Sequence, residues 1–193
     1  MFPAFTEIGR VELALYTDSL IIRGWVTTRQ QRVTDILNLS EQPFLILEDL
    51  TVEEVGDRGQ PIRADIAQVN LDSILFAVAD VPVEPSGELH VPKKAAEAIV
   101  SVPPYRITGM IHLLPGRNSL RESLTELTGR FIPVTNATYW SDRLGEARRT
   151  ALLVAVNHHR TQILAHHVDV DPWEGLSSSG PSAPFRDAGG PRG

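Results

Sequence analysis

The residues best able to do chemistry in this chain are its histidines, a group of acids and a group of arginines. His158-His159 and His166-His167 form two adjacent pairs, and His112 stands apart from them. Imidazole is a common metal ligand, but the helical H-x-x-x-H spacing that would put two imidazoles on one face is absent. His158-His159 fall in a predicted turn, and His166-His167 fall at the far end of the strand after it. Adjacent side chains on a strand point to opposite faces, so neither pair is expected to chelate. Asp18, Asp35, Glu48 and Asp49 would meet where a hairpin, a short helix and a third strand come together. Paired carboxylates there could move protons or hold a cation. The simpler reading has Asp35, and Glu122 later in the chain, bonding to nearby backbone amides and so holding a helix in place. There is no G-x-S-x-G, no Walker loop, no dinucleotide fingerprint and no cysteine. No catalytic residue, metal or cofactor is therefore predicted, and the chain is not read as an enzyme.

The third group is basic. Arg148, Arg149, His158, His159 and Arg160, with Arg143, give the second half of the chain a local positive charge, while Glu48, Asp49, Glu53, Glu54 and Asp57 make the first half acidic. Two functions follow. Opposite charges on the two halves would steer self-association or docking to a protein partner. Alternatively, the basic turn would bind RNA or another polyanion. The formal net charge of −6 and the lack of interleaved aromatic and basic residues favour the first, since nucleic-acid affinity rests on Lys and Arg.

These groups are positioned by a duplication. FLILEDLTV, beginning at Phe44, returns as FIPVTNATY, beginning at Phe131, a shift of 87 positions (131 − 44). The same shift lays Val33 on Leu120, Asp35 on Glu122, Leu37 on Leu124 and Asn70 on Asn157. Upstream, Gly24 and Gly109 align at a shift of 85 (109 − 24), and downstream Ile74 and Ile163 align at 89 (163 − 74). Internal repeats of this kind decide the fold before any local reading does.

Each copy reads β-β-α-β-β-β. In the first, residues 11–17 and 20–28 form a hairpin across the Asp18-Ser19 turn, and Gly24 marks a bend that Gly109 repeats. Residues 31–38 place Val33, Ile36 and Leu37 on one helical face. Residues 44–52 are apolar at nearly every early position, as in a strand covered on both sides. Strands over 62–69 and 73–79 flank a turn at Asn70, and Asn70 and Asn157 are expected either to adopt a positive φ or to form an Asx-turn. In the second copy, residues 93–100 read as a short helix running into the first strand, and residues 119–128 as the helix, with Ser119 and Glu122 as a capping box. Residues 144–149 read as a loop, and strands follow over 151–156 and 162–166. The predicted divisions are a lead-in over 1–10, repeat units over 11–80 and 96–170, a linker over 81–95, and a Gly/Pro/Ser-rich disordered tail over 171–193 carrying Trp173 and Phe185.

At 193 residues, each unit is too small to bury much surface alone, so the two should pack together. No apolar run is long enough to span a bilayer. MFPAFTEIGR lacks the pattern of a secretory signal, and the absence of cysteine suits the cytoplasm. Two lysines against sixteen arginines fits a GC-rich bacterial genome.

The phrases LIIRGWV, FLILEDLTV and VNLDSIL, with YRITGMI, FIPVTNATY and VNHHRTQI in the second copy, resemble the small five-stranded barrel of Sm-like proteins, with a helix inserted between strands two and three and no N-terminal helix. That resemblance implies a mainly β (α+β) fold of two small barrels, or a shared sheet packed as a pseudo-dimer, and it is the source of the RNA-binding alternative. The pattern Arg32, Asp35, Leu37, Asn38 followed by Phe44, Leu45, Leu47 and Asp49 also resembles a family of small bacterial domains of unknown function that occur singly or in tandem. The resemblance covers roughly residues 11–79 and 96–166 and implies no activity. The second copy has Glu122 for Asp35 and Thr125 for Asn38, so a site needing those residues would be weakened there.

Overall fold

The computed structural model describes residues 8–30, 32–56, 59–79, 94–113 and 120–166. Residues 81–93 of the predicted linker, the tail with Trp173 and Phe185, the Ser119 cap, Asp57 and His167 lie outside the described residues, while residues 94–95 of that linker belong to a strand. Alternating β-branched and aromatic residues form β1 (Gly9–Tyr16) and β2 (Leu20–Thr28), then α1 (Val33–Asn38), β3 (Phe44–Glu54), β4 (Ile62–Asn70) and the short β5 (Phe76–Val78). The second copy repeats the series as β6 (Lys94–Val102), β7 (Tyr105–Leu113), α2 (Leu120–Thr125), β8 (Phe131–Ser141), β9 (Glu146–Asn157) and β10 (Ile163–His166). A 3-10 turn precedes the last strand of each copy, at Leu71–Ser73 and at His158–Arg160.

The two expected barrels do not form. The ten strands among the described residues make one open sheet in the order β10-β6-β7-β8-β9-β5-β1-β2-β3-β4. A strand has only two hydrogen-bonding edges, and β5 uses one on β1 and the other on β9 of the other repeat. The edge that would close the first repeat on itself is thus committed to the second. β10 pairs with β6 in the same way, and among the described residues its other edge has no strand partner, nor has the outer edge of β4.

Pairing registers fix the repeat. Leu13↔Gly24 becomes Ala98↔Gly109, and Phe44↔Asn70 becomes Phe131↔Asn157. The last strand departs from the predicted shift of 89. The Leu75 N–H donates to Tyr16 C=O, and the Gln162 N–H donates to Ser101 C=O; Phe76 therefore corresponds to Ile163 and the shift stays at 87. The reason is that the 3-10 turns have equal length in the two copies, so no insertion intervenes.

Three further expectations are corrected. Residues 94–102 are strand, with Ala96, Ala98, Val100 and Val102 buried at a period of two. Residues 146–149 begin β9 and are not a loop. β3 is covered on one side only, since Leu45 and Leu47 are buried while Ile46 is 43% exposed.

Each repeat has its own core, but each core takes side chains from both. Phe76 and Val78 join Val154 and Val156 in the core of the second repeat, while Ala77 and Ala155 between them belong to the core of the first. Because strand side chains alternate, the two cores lie on opposite faces of the sheet where β5 meets β9. The strand that joins the repeats thus serves both.

Candidate interaction surface

The most highly organised polar groups in the molecule hold this junction. Asn157 is 0% exposed. Its Oδ1 accepts from the His159 N–H at 3.1 Å, forming an Asx-turn, and its Nδ2 donates to Ile74 C=O at 2.8 Å and Leu71 C=O at 3.4 Å across the junction. Its φ is −70, and that of Asn70 is −68, so a positive φ is not what either turn uses. Asn70 makes the same Asx-turn to the Asp72 N–H, but its Nδ2 meets no acceptor among the described residues. Asn38, at the end of α1, makes a second clamp: its Nδ2 donates to Phe131 C=O and its Oδ1 accepts from the Phe131 N–H, both at 2.8 Å.

An aromatic cluster fills the space behind the clamps. Tyr16 and Phe76 from the first repeat stack at 4.3 Å, and Tyr105 and Tyr139 from the second meet them edge-on. The Tyr16 and Tyr139 hydroxyls are 3.1 Å apart. Burial raises the pKa of both Tyr105 and Tyr139 far above the usual phenol value, and the hydrogen bond with Tyr16 adds to the shift for Tyr139. Tyr105 and Tyr139 are neutral at physiological pH. Arg149 borders it; burial works against its charge, but the Tyr16 and Tyr139 hydroxyls and Glu146 outweigh that effect and raise its pKa.

Gly24 and Gly109 stand opposite a β-bulge in each copy. A Cβ on Gly24 would lie 2.8 Å from Leu50 Cβ, and one on Gly109 would lie 2.8 Å from Thr135 O. Across from them, Asp49 and Asn136 have φ of 50 and 48, the left-handed region that Asp and Asn tolerate better than other side chains. These glycines make the close approach of the two strands possible.

The basic residues do not form one patch. His158, His159 and Arg160 occupy the turn after β9, whereas Arg148 and Arg149 lie near the start of that strand, roughly 30 Å away along it at the usual rise per residue. Arg148 covers the Trp140 ring at 4.6 Å, and Arg149 faces Glu146 at 3.7 Å. Arg160 bonds to Asp18 Oδ2 at 2.7 Å and to Asp72 C=O at 2.8 Å, and Arg130 lies 3.7 Å from Asp72. Those charges tie the second repeat to the first. The acids are likewise dispersed: Asp18 belongs to Arg160, while Glu48 and Asp49 share Arg10. The Asp35 carboxylate bonds to no described residue, so it does not hold α1 through backbone amides. Instead, Val33, Ile36 and Leu37 bury the helix face, and Asn38 ties its end. Among the described residues no group of three or more His, Asp or Glu side chains could hold a metal ion. No helix among them is long and apolar enough to cross a membrane.

Away from the junction, the two unpaired edges carry exposed apolar side chains. Ile62 and Ile66 on β4 are 69% and 65% exposed, and Ile163 on β10 is 57% exposed. No family model matches the chain, and neither a curated protein nor a solved structure matches it. The family resemblance rests on its residue pattern alone.

Sequence reasoning named Gly24, Gly109, Asn70 and Asn157 but missed the Asn38 clamp, the Asp49/Asn136 bulge and the tyrosine cluster. The alignment of Asp49 with Asn136 was a usable signal, because both residue types suit a positive φ. Asn38 carried no such signal, since its counterpart is Thr125.

Proposed function

We propose that this chain is a non-catalytic protein-interaction or scaffolding module of the cytoplasm, and that its working surfaces are the two open edges of the sheet. The observation that carries this reading is the pair of outer edges, on β4 and β10, that have no strand partner among the described residues and that carry the exposed Ile62, Ile66 and Ile163. An open edge presents unpaired N–H and C=O groups that another strand can extend. Arg63 and Asp65 on β4 supply the charges that commonly restrain indiscriminate pairing at an edge. The polyanion alternative draws less support, because Arg149 and Arg160 face carboxylates and the basic residues lie at opposite ends of β9. Capture of the tagged full chain from its host, with and without nuclease, tests the choice. A discrete protein, a second copy of the chain included, should survive nuclease. Nucleic acid in the eluate, removed by salt, would replace this reading with polyanion binding.

A further inference from the structure

The edge at β4 and the edge at β10 are the two halves of an interface that the molecule already contains. The internal junction joins β5 of the first repeat to β9 of the second, with Phe76↔Val156, Ala77↔Ala155 and Val78↔Val154 paired. The shift of 87 sends β5 to β10 and β9 to β4. Both partners of the corresponding junction are therefore present, but at opposite ends of one chain, where they cannot meet. We infer that a second copy of this chain fills the gap head to tail, with β10 of one molecule pairing antiparallel with β4 of the next in the register Ile163↔Val69, Leu164↔Gln68 and Ala165↔Ala67. This deepens the interaction reading and rests on it.

The burial of each residue supports the correspondence. Phe76 is 0% exposed at the junction, while its counterpart Ile163 is 57% exposed. Leu153 packs against the core of the other repeat, while its counterpart Ile66 is 65% exposed. Phe131 is 1% exposed in that same core, and its counterpart Phe44 is only half-buried. Residues whose equivalents are covered inside the chain are thus open at its ends. Asn70 completes the match. Its counterpart Asn157 spends its Nδ2 on carbonyls across the junction, whereas the Asn70 Nδ2 bonds to no described residue and would face Thr161 C=O of the neighbour.

The outer junction is the weaker of the two. Ser101 and Ile163 stand where the inner one has Tyr16 and Phe76, and Thr125 stands where it has Asn38. Association should therefore be reversible and concentration-dependent. Because the interface uses different surfaces on the two molecules, it closes into a ring or runs on as a filament.

The test uses the full chain and two edge variants, Ile66→Asp at the β4 end and Ile163→Asp at the β10 end. Both residues are exposed in the monomer, so circular dichroism and thermal melts should match the parent. Sedimentation velocity over a concentration series should show assembly of the parent. Each variant alone should lose at least about tenfold in association constant, equivalent to about 1.4 kcal/mol. An equimolar mixture of the two should restore association but stop at dimers, since each molecule keeps one intact end and the intact ends are complementary. A parent that stays monomeric, folded variants that still assemble, or a mixture that does not dimerise would each overturn the inference. If the parent is monomeric yet captures a different protein through nuclease treatment, the interaction reading stands while self-assembly fails.

Discussion

Asn157 and Asn70 occupy equivalent positions, yet only one carries a junction. In Asn157→Ala the turn loses its cap, and the carbonyls of Ile74 and Leu71 lose a buried donor. Losing the cap costs about 1 kcal/mol, and leaving buried polar groups unpaired adds about 1–3 kcal/mol. Asn70→Ala loses the cap alone and should cost about 1 kcal/mol. Urea unfolding of the two variants measures the difference, and equal losses would show that the Nδ2 bonds of Asn157 contribute little. The glycines make a parallel case. Gly109→Ala would push a methyl against Thr135 O and Val134 Cγ1, and Gly24→Ala would push one against Leu50 Cβ, which its own backbone holds in place. Both substitutions should therefore cost stability, within the roughly 1–3 kcal/mol typical of overpacking; thermal melts of both check it, and a neutral result at either would show that the bulge opposite can open. All four residues could be found in the sequence because each repeats as an identity, but the unequal importance of the two asparagines could not. It depends on which repeat lies inside the junction, and two matching residues look alike until the chain has chosen its pairing.

At the scale of elements, most strands were legible in the sequence, but β6 was read largely as helix, the start of β9 as loop, and the second partner of β5 was not visible. The strand that joins the two repeats is only three residues long, and Phe76, Ala77 and Val78 are all at most 5% exposed. Nothing in the FAV tripeptide tells whether its second edge closes a barrel or meets another repeat. Residues 94–102 were misread because KAAEAIVSV opens with good helix formers, and the period-two burial of Ala96 and Ala98 becomes clear only once the sheet is known. The aromatic cluster gives this junction a pH signature. Tyr105 and Tyr139 are acids whose folded pKa is raised above the ordinary 10.0, first of all by burial. Below that value both folded and unfolded forms are protonated, and the stabilisation is fully present. Above it the unfolded chain releases protons that the folded chain retains, so stability falls as pH rises, by up to about 1.4 kcal/mol per pH unit for each tyrosine. Chemical denaturation at a series of alkaline pH values should show this loss beginning near pH 10. Tyr139→Phe should make it shallower. A slope that does not change would place the alkaline sensitivity elsewhere.

At the scale of the whole molecule, a duplicated unit that joins its copies edge to edge leaves the same two edges free at its ends, and their chemistry sets how far the sheet continues. Inside, α1 meets β8 through Asn38, whose side chain bonds to both the N–H and the C=O of Phe131. In the proposed assembly α2 meets β3 of the neighbour in the same way, with Thr125 facing Phe44. Thr125 is too short to bridge that gap, and its Oγ1 donates back to Arg121 C=O at 2.9 Å. Thr125→Asn would rebuild the clamp at the outer junction. Two added hydrogen bonds are worth about 1 kcal/mol each at most, offset in part by the lost bond to Arg121, so the association constant should rise by about tenfold. Sedimentation equilibrium on a dilution series reads that change directly. The gain should vanish when Ile66→Asp is added, because that substitution spoils the β4 end on which α2 and β10 of the neighbour must settle together. A gain that survives Ile66→Asp would put the new asparagine in some other contact, and no gain in the otherwise unaltered chain would mean that α2 does not meet β3 as α1 meets β8.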